Sequence, residues 1–474
     1  MAAPPLLLAV LPLLLLSAFL PSPTAAVHSS NHKPFPPVTP LHLQQRVRSS
    51  LDAKYVTAAA DGDSTAAAKP FTAHYYPQEL DHFTFTPNSS MIFYQKYLLN
   101  DTFWRRPGGK QAGPLFVYTG NEGDIEWFAT NTGFMFDIAP KFGALLVFIE
   151  HRFYGESKPF GNDSYKSPDK LGYLTSTQAL ADFAVLITSL KQNLSAEAAP
   201  VVVFGGSYGG MLASWFRLKY PHVALGALAS SAPILQFDYI TPWTSFYDAV
   251  SQDYKSESLN CFNVIKATWD MLEARGSNDT GLLELSKMFR ACKTVKSVYS
   301  FRNWLWTAFT YTAMVDYPSP ANFLENLPAY PVKEMCKIID GFPASSDTVN
   351  KAFAAASLYY NYTGNETCFK FEEDDDPHGL SGWQWQKIDK VLMRFGSNII
   401  FSNGMRDPWS RGGVLKNISS SIIALVTEKG AHHLDFRSET KDDPDWVIEQ
   451  RRQEVQIIQG WIDQYNQDMV EMSS

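Results

Sequence analysis

Ten residues, Val201-Val202-Val203-Phe204-Gly205-Gly206-Ser207-Tyr208-Gly209-Gly210, limit what this chain can fold into more than any other stretch. A β-branched run, too short and too uniform for a helix, meets a glycine cluster with a serine at its centre. Residues 211–220 then follow at helical spacing. A strand must therefore turn into a helix within a couple of residues, with the serine held in the turn above the sheet edge. Side chains at the flanking positions would collide, and glycine avoids the collision. The pattern is G-x-S-x-G, a nucleophile elbow. It lifts a strained serine Oγ towards a base and places the amides of a helix N-terminus near any developing oxyanion.

The chain around it alternates strands and helices. Residues 92–97 alternate apolar and polar, as in a half-exposed strand. Pro114-Leu115-Phe116-Val117-Tyr118-Thr119 and Ala144-Leu145-Leu146-Val147-Phe148-Ile149 are continuous apolar runs, the mark of strands buried on both faces. A helical stretch lies between them, and another covers residues 177–194. Residues 224–230, 398–404 and 421–426 read as further strands. The expectation is an α/β fold, an α/β-hydrolase core with a mainly parallel sheet, whose two parts span residues 71–237 and 391–474. Between them, residues 238–390 are aromatic-rich, hold all four cysteines and show long helical patterns, so they are read as an inserted helical cap. The acidic run Glu372-Glu373-Asp374-Asp375-Asp376 is read as a solvated loop. The chain closes on an amphipathic helix, with Asp443 expected as its N-cap and Pro444 at its first position.

The N-terminus speaks to location. Residues 6–20 are leucine-rich, broken by Pro12 and followed by Pro21-Ser22-Pro23-Thr24-Ala25-Ala26. That predicts a signal peptide over 1–26, too short and Pro-flanked for a membrane anchor. Residues 27–70, rich in Ser, Ala, Pro and His without periodicity, are read as a linker or pro-segment. A place in the secretory pathway, in a lysosome, a vacuole or outside the cell, agrees with eight sequons at Asn88, Asn100, Asn162, Asn193, Asn278, Asn361, Asn365 and Asn417. It also agrees with an even number of cysteines, Cys261, Cys292, Cys336 and Cys368, which allow two disulfides in three connectivities. A formal net charge of −8 argues against a nucleic-acid partner. Neither C-x-x-C nor a His–Cys spacing is present, so no metal or cofactor is expected.

An elbow serine needs a base and an acid, which follow it in the order Ser, Asp or Glu, His, each on a loop after a strand. Gly404-Met405-Arg406-Asp407-Pro408 and Gly430-Ala431-His432-His433 satisfy both order and placement. Ser207 is expected as nucleophile, Asp407 as the orienting acid and His432 as general base and then acid. Adjacent side chains point apart, so only one of His432 and His433 can face the serine, and residue chemistry alone leaves that choice open. The oxyanion hole would take the Tyr208 amide and a second donor from Gly120-Asn121-Glu122-Gly123.

These segments, together with Glu150-His151-Arg152-Phe153-Tyr154-Gly155-Glu156-Ser157 and Asp407-Pro408-Trp409-Ser410, resemble the lysosomal Pro-X carboxypeptidase family, which also includes dipeptidyl peptidase II. The resemblance runs from about residue 72 to 468 and implies a serine exopeptidase that cleaves proline-containing peptides after proline in acidic compartments. It places the base at the first histidine, His432, and supports Asp407. It implies that the helical insert caps the site and shapes a proline pocket, and that the disulfides are Cys261–Cys336 and Cys292–Cys368. The C-terminal end is similar to that of plant members. After Gly382-Trp383-Gln384-Trp385-Gln386 the chain passes directly to Lys387-Ile388-Asp389-Lys390-Val391, where the family continues through a further stretch of the cap, so this looks like a shortened form.

Four expectations remain. An acidic compartment would protonate an ordinary imidazole, and positive neighbours oppose that, so His433 and Arg437 are expected to tune His432. A carboxypeptidase must hold a terminal carboxylate and an aminodipeptidase a terminal amine, with Arg152, Arg406 and Glu122 as the candidates, though Arg152 reads equally as a structural salt-bridge partner. A homodimer is left open. The rival readings are an aminodipeptidase like dipeptidyl peptidase II, an esterase or lipase on the same core, and a binding protein made inactive by the shortened cap.

Overall fold

The computed structural model describes residues 71–84, 91–108, 111–237, 239–371, 382–383, 386 and 396–473. The expected signal peptide and pro-segment, Asn88, the acidic run and residues 387–391 lie outside the described residues.

A hairpin of β1 (Thr72–Glu79) and β2 (Ile92–Asn100) opens the sheet. β2 pairs antiparallel with β4 (Leu145–Ile149). Every later pairing is parallel, from β4 through β3 (Leu115–Thr119), β5 (Val201–Gly206), β6 (Gly226–Ser230) and β7 (Ile399–Gly404) to β8 (Ile422–Thr427). The order is β1-β2-β4-β3-β5-β6-β7-β8. Chain order and space order differ at β3 and β4, as a crossover requires.

The apolar runs are buried along their whole lengths because helices cover both faces. Alternate residues of β5 serve alternate layers. Val201 and Val203 face α3 (Ser176–Asn193) and α4 (Ser207–Lys219), meeting Phe183, Trp215 and Phe216. Val202 and Phe204 face the other layer, built from α1 (Ile125–Asn131), α2 (Gly133–Phe142) and the closing helix α11 (Asp445–Ser473).

Between β6 and β7 the chain leaves for a helical insert. Its helices are α5 (Ser245–Glu257), α6 (Leu259–Arg275), α7 (Asp279–Met288), α8 (Val298–Met314), α9 (Pro331–Asp340) and α10 (Thr348–Asn361). β6 and β7 pair directly, so the insert leaves the sheet uninterrupted. Cys261–Cys336 ties α6 to α9, and Cys292–Cys368 ties the segments after α7 and α10. This is the pairing the resemblance implied. Trp304 stacks on Tyr360 at 4.3 Å and lies within 5.9 Å of Phe289, Phe353 and Phe369, forming an aromatic core within the insert.

Two local readings need correction. The closing helix starts at Asp445, and Asp443 does not cap it. Asp443 instead accepts from the Thr440 amide and hydroxyl at 3.0 and 2.9 Å and pairs with Arg451. The sequon asparagine Asn100 ends β2 only 4% exposed, with its Oδ1 taken by the Thr102 amide. A glycan cannot attach there without opening the sheet. Asn162, Asn193, Asn278, Asn365 and Asn417 are exposed, and Asn361 is partly so.

Candidate active site

The turn after β5 is as tight as its glycines imply. Gly206 is extended, and Ser207, the first residue of α4, has φ 55°. A left-handed non-glycine residue is strained, and surrounding structure must hold it there. A β-carbon on Gly205 would overlap the Gly209 backbone, and one on Gly209 would overlap Asn121 Oδ1 and approach the Thr119 carbonyl. Ser207 is partly exposed while its neighbours on both sides are buried.

Two loops past the ends of β7 and β8 supply the other candidates. Asp407 is fully buried. Its Oδ1 accepts from the Trp409 amide at 3.0 Å, and its Oδ2 accepts from His432 Nδ1 at 2.8 Å. An ionised carboxylate only accepts, so the proton lies on Nδ1 and the Nε2 of a neutral ring keeps its lone pair. The next residue, His433, has φ 37° and donates its amide to Ser231 Oγ at 2.8 Å. Its ring lies 4.5 Å from the His432 ring and packs on Gly206, immediately before Ser207. The structure thus brings Asp407 and His432 together, with the histidine loop folded against the elbow.

The expected tuning residues behave differently from one another. Burial holds the His433 ring well below the usual histidine range, with the His432 and Arg437 charges adding to the effect. A neutral His433 adds no positive charge beside His432, which corrects that part of the expectation. Arg437 donates to Asn131 Oδ1 at 2.8 Å, and its guanidinium lies 5.8 Å from the Tyr317 ring and 5.7 Å from the Phe323 ring.

The oxyanion candidates are narrowed. The Gly120 amide donates to the Ile149 carbonyl at 3.0 Å, and the Gly123 amide to the Asn121 carbonyl at 3.0 Å, so neither can serve. Asn121 and Glu122 remain as the loop's candidates beside Tyr208. The loop is stitched to the elbow by side chains. Asn121 Nδ2 donates to the Gly206 carbonyl at 2.8 Å, and its Oδ1 accepts from Tyr118 at 2.8 Å. Thr119 Oγ1 donates to the Gly209 carbonyl at 2.8 Å. The Tyr208 hydroxyl meets His151 Nε2 at 3.0 Å, and its ring lies 5.0 Å from Trp383.

Both arginines considered for a substrate terminus are committed elsewhere. Arg152 is fully buried in a two-point pair with Asp182 at 2.6 Å and donates to the Leu80 carbonyl at 2.7 Å. It joins β1 and β2 to α3 and is structural. Arg406 pairs with Asp316 at 2.7 Å and Glu257 at 3.1 Å, both from the insert. Glu122 differs. It is 8% exposed, its Oε2 has no hydrogen-bond partner among the described residues, and burial pushes its carboxyl up to about 7 against the opposing influence of His432.

Sequence reasoning missed the structural use of Glu150. Its carboxyl accepts from the amides of Ile125, Glu156 and Ser157 and from the Ser157 hydroxyl, at 3.2, 3.0, 2.8 and 2.6 Å, and so ties the loop after β4 to the start of α1. Polar residues beside an apolar strand were the available signal. The partners of such a carboxyl leave no periodic trace in a sequence.

Comparison with known proteins shows the family. The chain matches the family described as serine carboxypeptidase S28 over residues 78–386 and 390–454. It is 39% identical over 450 residues to the human lysosomal Pro-X carboxypeptidase, covering 84% of this chain and 89% of that protein. The mouse protein of the same name is 38% identical over 466 residues, covering 87% and 93%. A Caenorhabditis elegans putative serine protease, pcp-1, is 35% identical over 509 residues, covering 88% and 87%. Among solved structures, a Mycobacterium smegmatis proline iminopeptidase aligns over 79% of this chain and 97% of its own, at 13% identity and a TM-score of 0.38.

Proposed function

The chain belongs to the serine carboxypeptidase S28 family, and we propose that it is an exopeptidase that removes the residue following a proline at the carboxyl end of a peptide. One observation carries the reading. A serine held at φ 55° heads α4, and the loop that carries His432, paired with Asp407 at 2.8 Å, packs on the elbow through His433 and Gly206, in a chain whose relatives are named Pro-X carboxypeptidases.

In this reading Ser207 Oγ attacks the prolyl carbonyl, and His432 Nε2 takes the hydroxyl proton. Asp407 holds the ring in the tautomer that leaves Nε2 free and steadies the imidazolium that forms. The Tyr208 amide and an amide of the Asn121-Glu122 pair stabilise the oxyanion, each worth roughly 3–4 kcal/mol in the transition state. The imidazolium gives its proton to the leaving amine, and water then releases the acyl group by the same steps in reverse. The work site is an acidic compartment of the secretory pathway, as the lysosomal names of the relatives suggest.

Glu122 bears on a second reading, that of an aminodipeptidase. An ionised carboxylate would bind a terminal amine, as an aminodipeptidase requires. A neutral carboxyl, the form favoured below about 7, can donate a hydrogen bond to a terminal carboxylate. The acidic setting favours the second role. A peptide panel decides between them. The carboxypeptidase reading expects cleavage of an N-acylated peptide ending in Pro-Phe, and no cleavage of its C-terminal amide. Release of X-Pro from peptides with a free amino terminus, with N-acylated ones inert, would overturn it.

A further inference from the structure

The backbone of His432 is held by the helical insert. Its amide donates to the Met314 carbonyl at 3.0 Å, and its carbonyl accepts from the Tyr317 hydroxyl at 2.9 Å. Met314 is the last residue of α8, and Tyr317 is 1% exposed. Between them, Asp316 is 2% exposed and turns the other way. One of its oxygens pairs with Arg406 at 2.7 Å, and the other accepts from the Val332 amide at the start of α9, at 3.1 Å. Arg406 is the neighbour of Asp407 in sequence. A stretch of four residues thus grips both loops whose side chains meet in the Asp407–His432 hydrogen bond.

We propose that Met314–Tyr317 is a brace that sets the imidazole of His432 and the carboxylate of Asp407 in register, with Tyr317 and Asp316 as positioning residues for the reaction. The proposal rests on the reading of His432 as base and Asp407 as its orienter. Its physical basis is leverage. Hydrogen bonds to the two peptide units that flank a Cα fix both of their planes, and so the direction of the Cα–Cβ bond between them. Displacement of a reacting group by about 1 Å can reduce the rate by about a hundredfold. The insert then does more than shape a substrate pocket. The core strands carry the reacting side chains, and the insert determines where two of them stand.

The test begins with Tyr317→Phe, which removes one oxygen and keeps the ring under Arg437. The protein is assayed well below its melting temperature on N-acylated Pro-Phe. The brace predicts a ten- to hundredfold fall in kcat with KM changed less than twofold, and an equal fall in the rate of phosphonylation of Ser207. Asp316→Asn, the second variant, should lower kcat in the same way should Tyr317→Phe not fold. The decisive arm repeats Tyr317→Phe in an Asp407→Asn background. Where the imidazole has already lost its orienter, removing the hydroxyl should cost less than threefold more. A merely structural hydroxyl would cost the same in both backgrounds. An unchanged kcat in both folded single variants, an effect on KM alone, or full additivity with Asp407→Asn would overturn the brace. Unimpaired activity of Asp407→Asn by itself would instead overturn the underlying reading of the site.

Discussion

Arg437 is the residue in which position and charge can be separated most cleanly. Its guanidinium faces two rings of the insert and acts on His433, which burial already keeps neutral. A positive neighbour of a general base opposes its protonation, and that is the role expected of Arg437 from its place in the sequence. Arg437→Ala should therefore move the acidic limb of the kcat/KM–pH profile to higher pH, by a few tenths of a unit to one unit. A rate profile from pH 3.5 to 7 checks this, and an unmoved limb would leave Arg437 a packing role only. At this scale the sequence spoke unevenly. Ser207 and Asp407 were legible because each follows a strand in a pattern that chemistry restricts. His432 and His433 were not separable by their own chemistry, and the resemblance made the choice that the 2.8 Å bond to Asp407 agrees with. For Arg152 the sequence left a substrate-terminus role and a structural ion pair equally open, since its partner Asp182 lies 30 residues away on α3.

At the scale of elements, the elbow depends on backbones that touch. Gly209 sits where α4 passes the Thr119–Asn121 loop, and a β-carbon there meets the Thr119 carbonyl and the Asn121 side-chain oxygen, which accepts from Tyr118. Gly209→Ala should be destabilised by about 2–4 kcal/mol, the usual range for overpacking with backbone displacement, and should lose most of its activity. Urea unfolding followed by tryptophan fluorescence measures the first, and peptide hydrolysis the second. Wild-type stability would show that the loop can give way. The central strands of this sheet were readable because burial on both faces demands unbroken apolar runs, β2 was readable by its alternation, and the mostly exposed β1 was not read as a strand. The brace was not readable, because Tyr317 and His432 are 115 residues apart and the bonds run to backbone atoms, which every residue carries. Asp443 misled for a related reason. A cap residue and a turn residue look alike in sequence, and only the position of Thr440 and Arg451 decides between them.

Among the described residues, burial raises a set of carboxyls to neutral pH or above. Glu122 and Glu150 are pushed up to about 7, Asp253 to about 8, and Glu454 well above its ordinary value. The sign follows directly. A raised carboxyl in the folded state keeps its proton while the unfolded chain has lost it, so stability declines as pH rises towards the folded value. Below about 6.5 the buried histidines His151, at about 4, and His433 oppose this trend, since the unfolded chain gains their protons. Above 6.5 the opposing effect of the histidines fades and that of the raised carboxyls remains. The melting temperature should therefore fall by a few degrees between pH 6.5 and pH 8, with Asp253 contributing on the order of 1–2 kcal/mol. Asp253→Asn should narrow that fall and raise the melting temperature at pH 8. Calorimetry at the two pH values checks both, and a melting temperature that rises towards pH 8 would contradict the account. An interior of this kind suits an acidic compartment. It was invisible in the sequence, where a net charge of −8 gives no sign of which acids the fold encloses.

The claim beneath these arguments is that Ser207 is the nucleophile and that His432 activates it. Incubation with a phosphonylating serine probe, followed by peptide mass spectrometry, tests it most directly. The account predicts one adduct, on Ser207, absent from Ser207→Ala and formed at least a hundredfold more slowly in His432→Ala. An adduct on another serine, or labelling of Ser207 at an undiminished rate without His432, would contradict it.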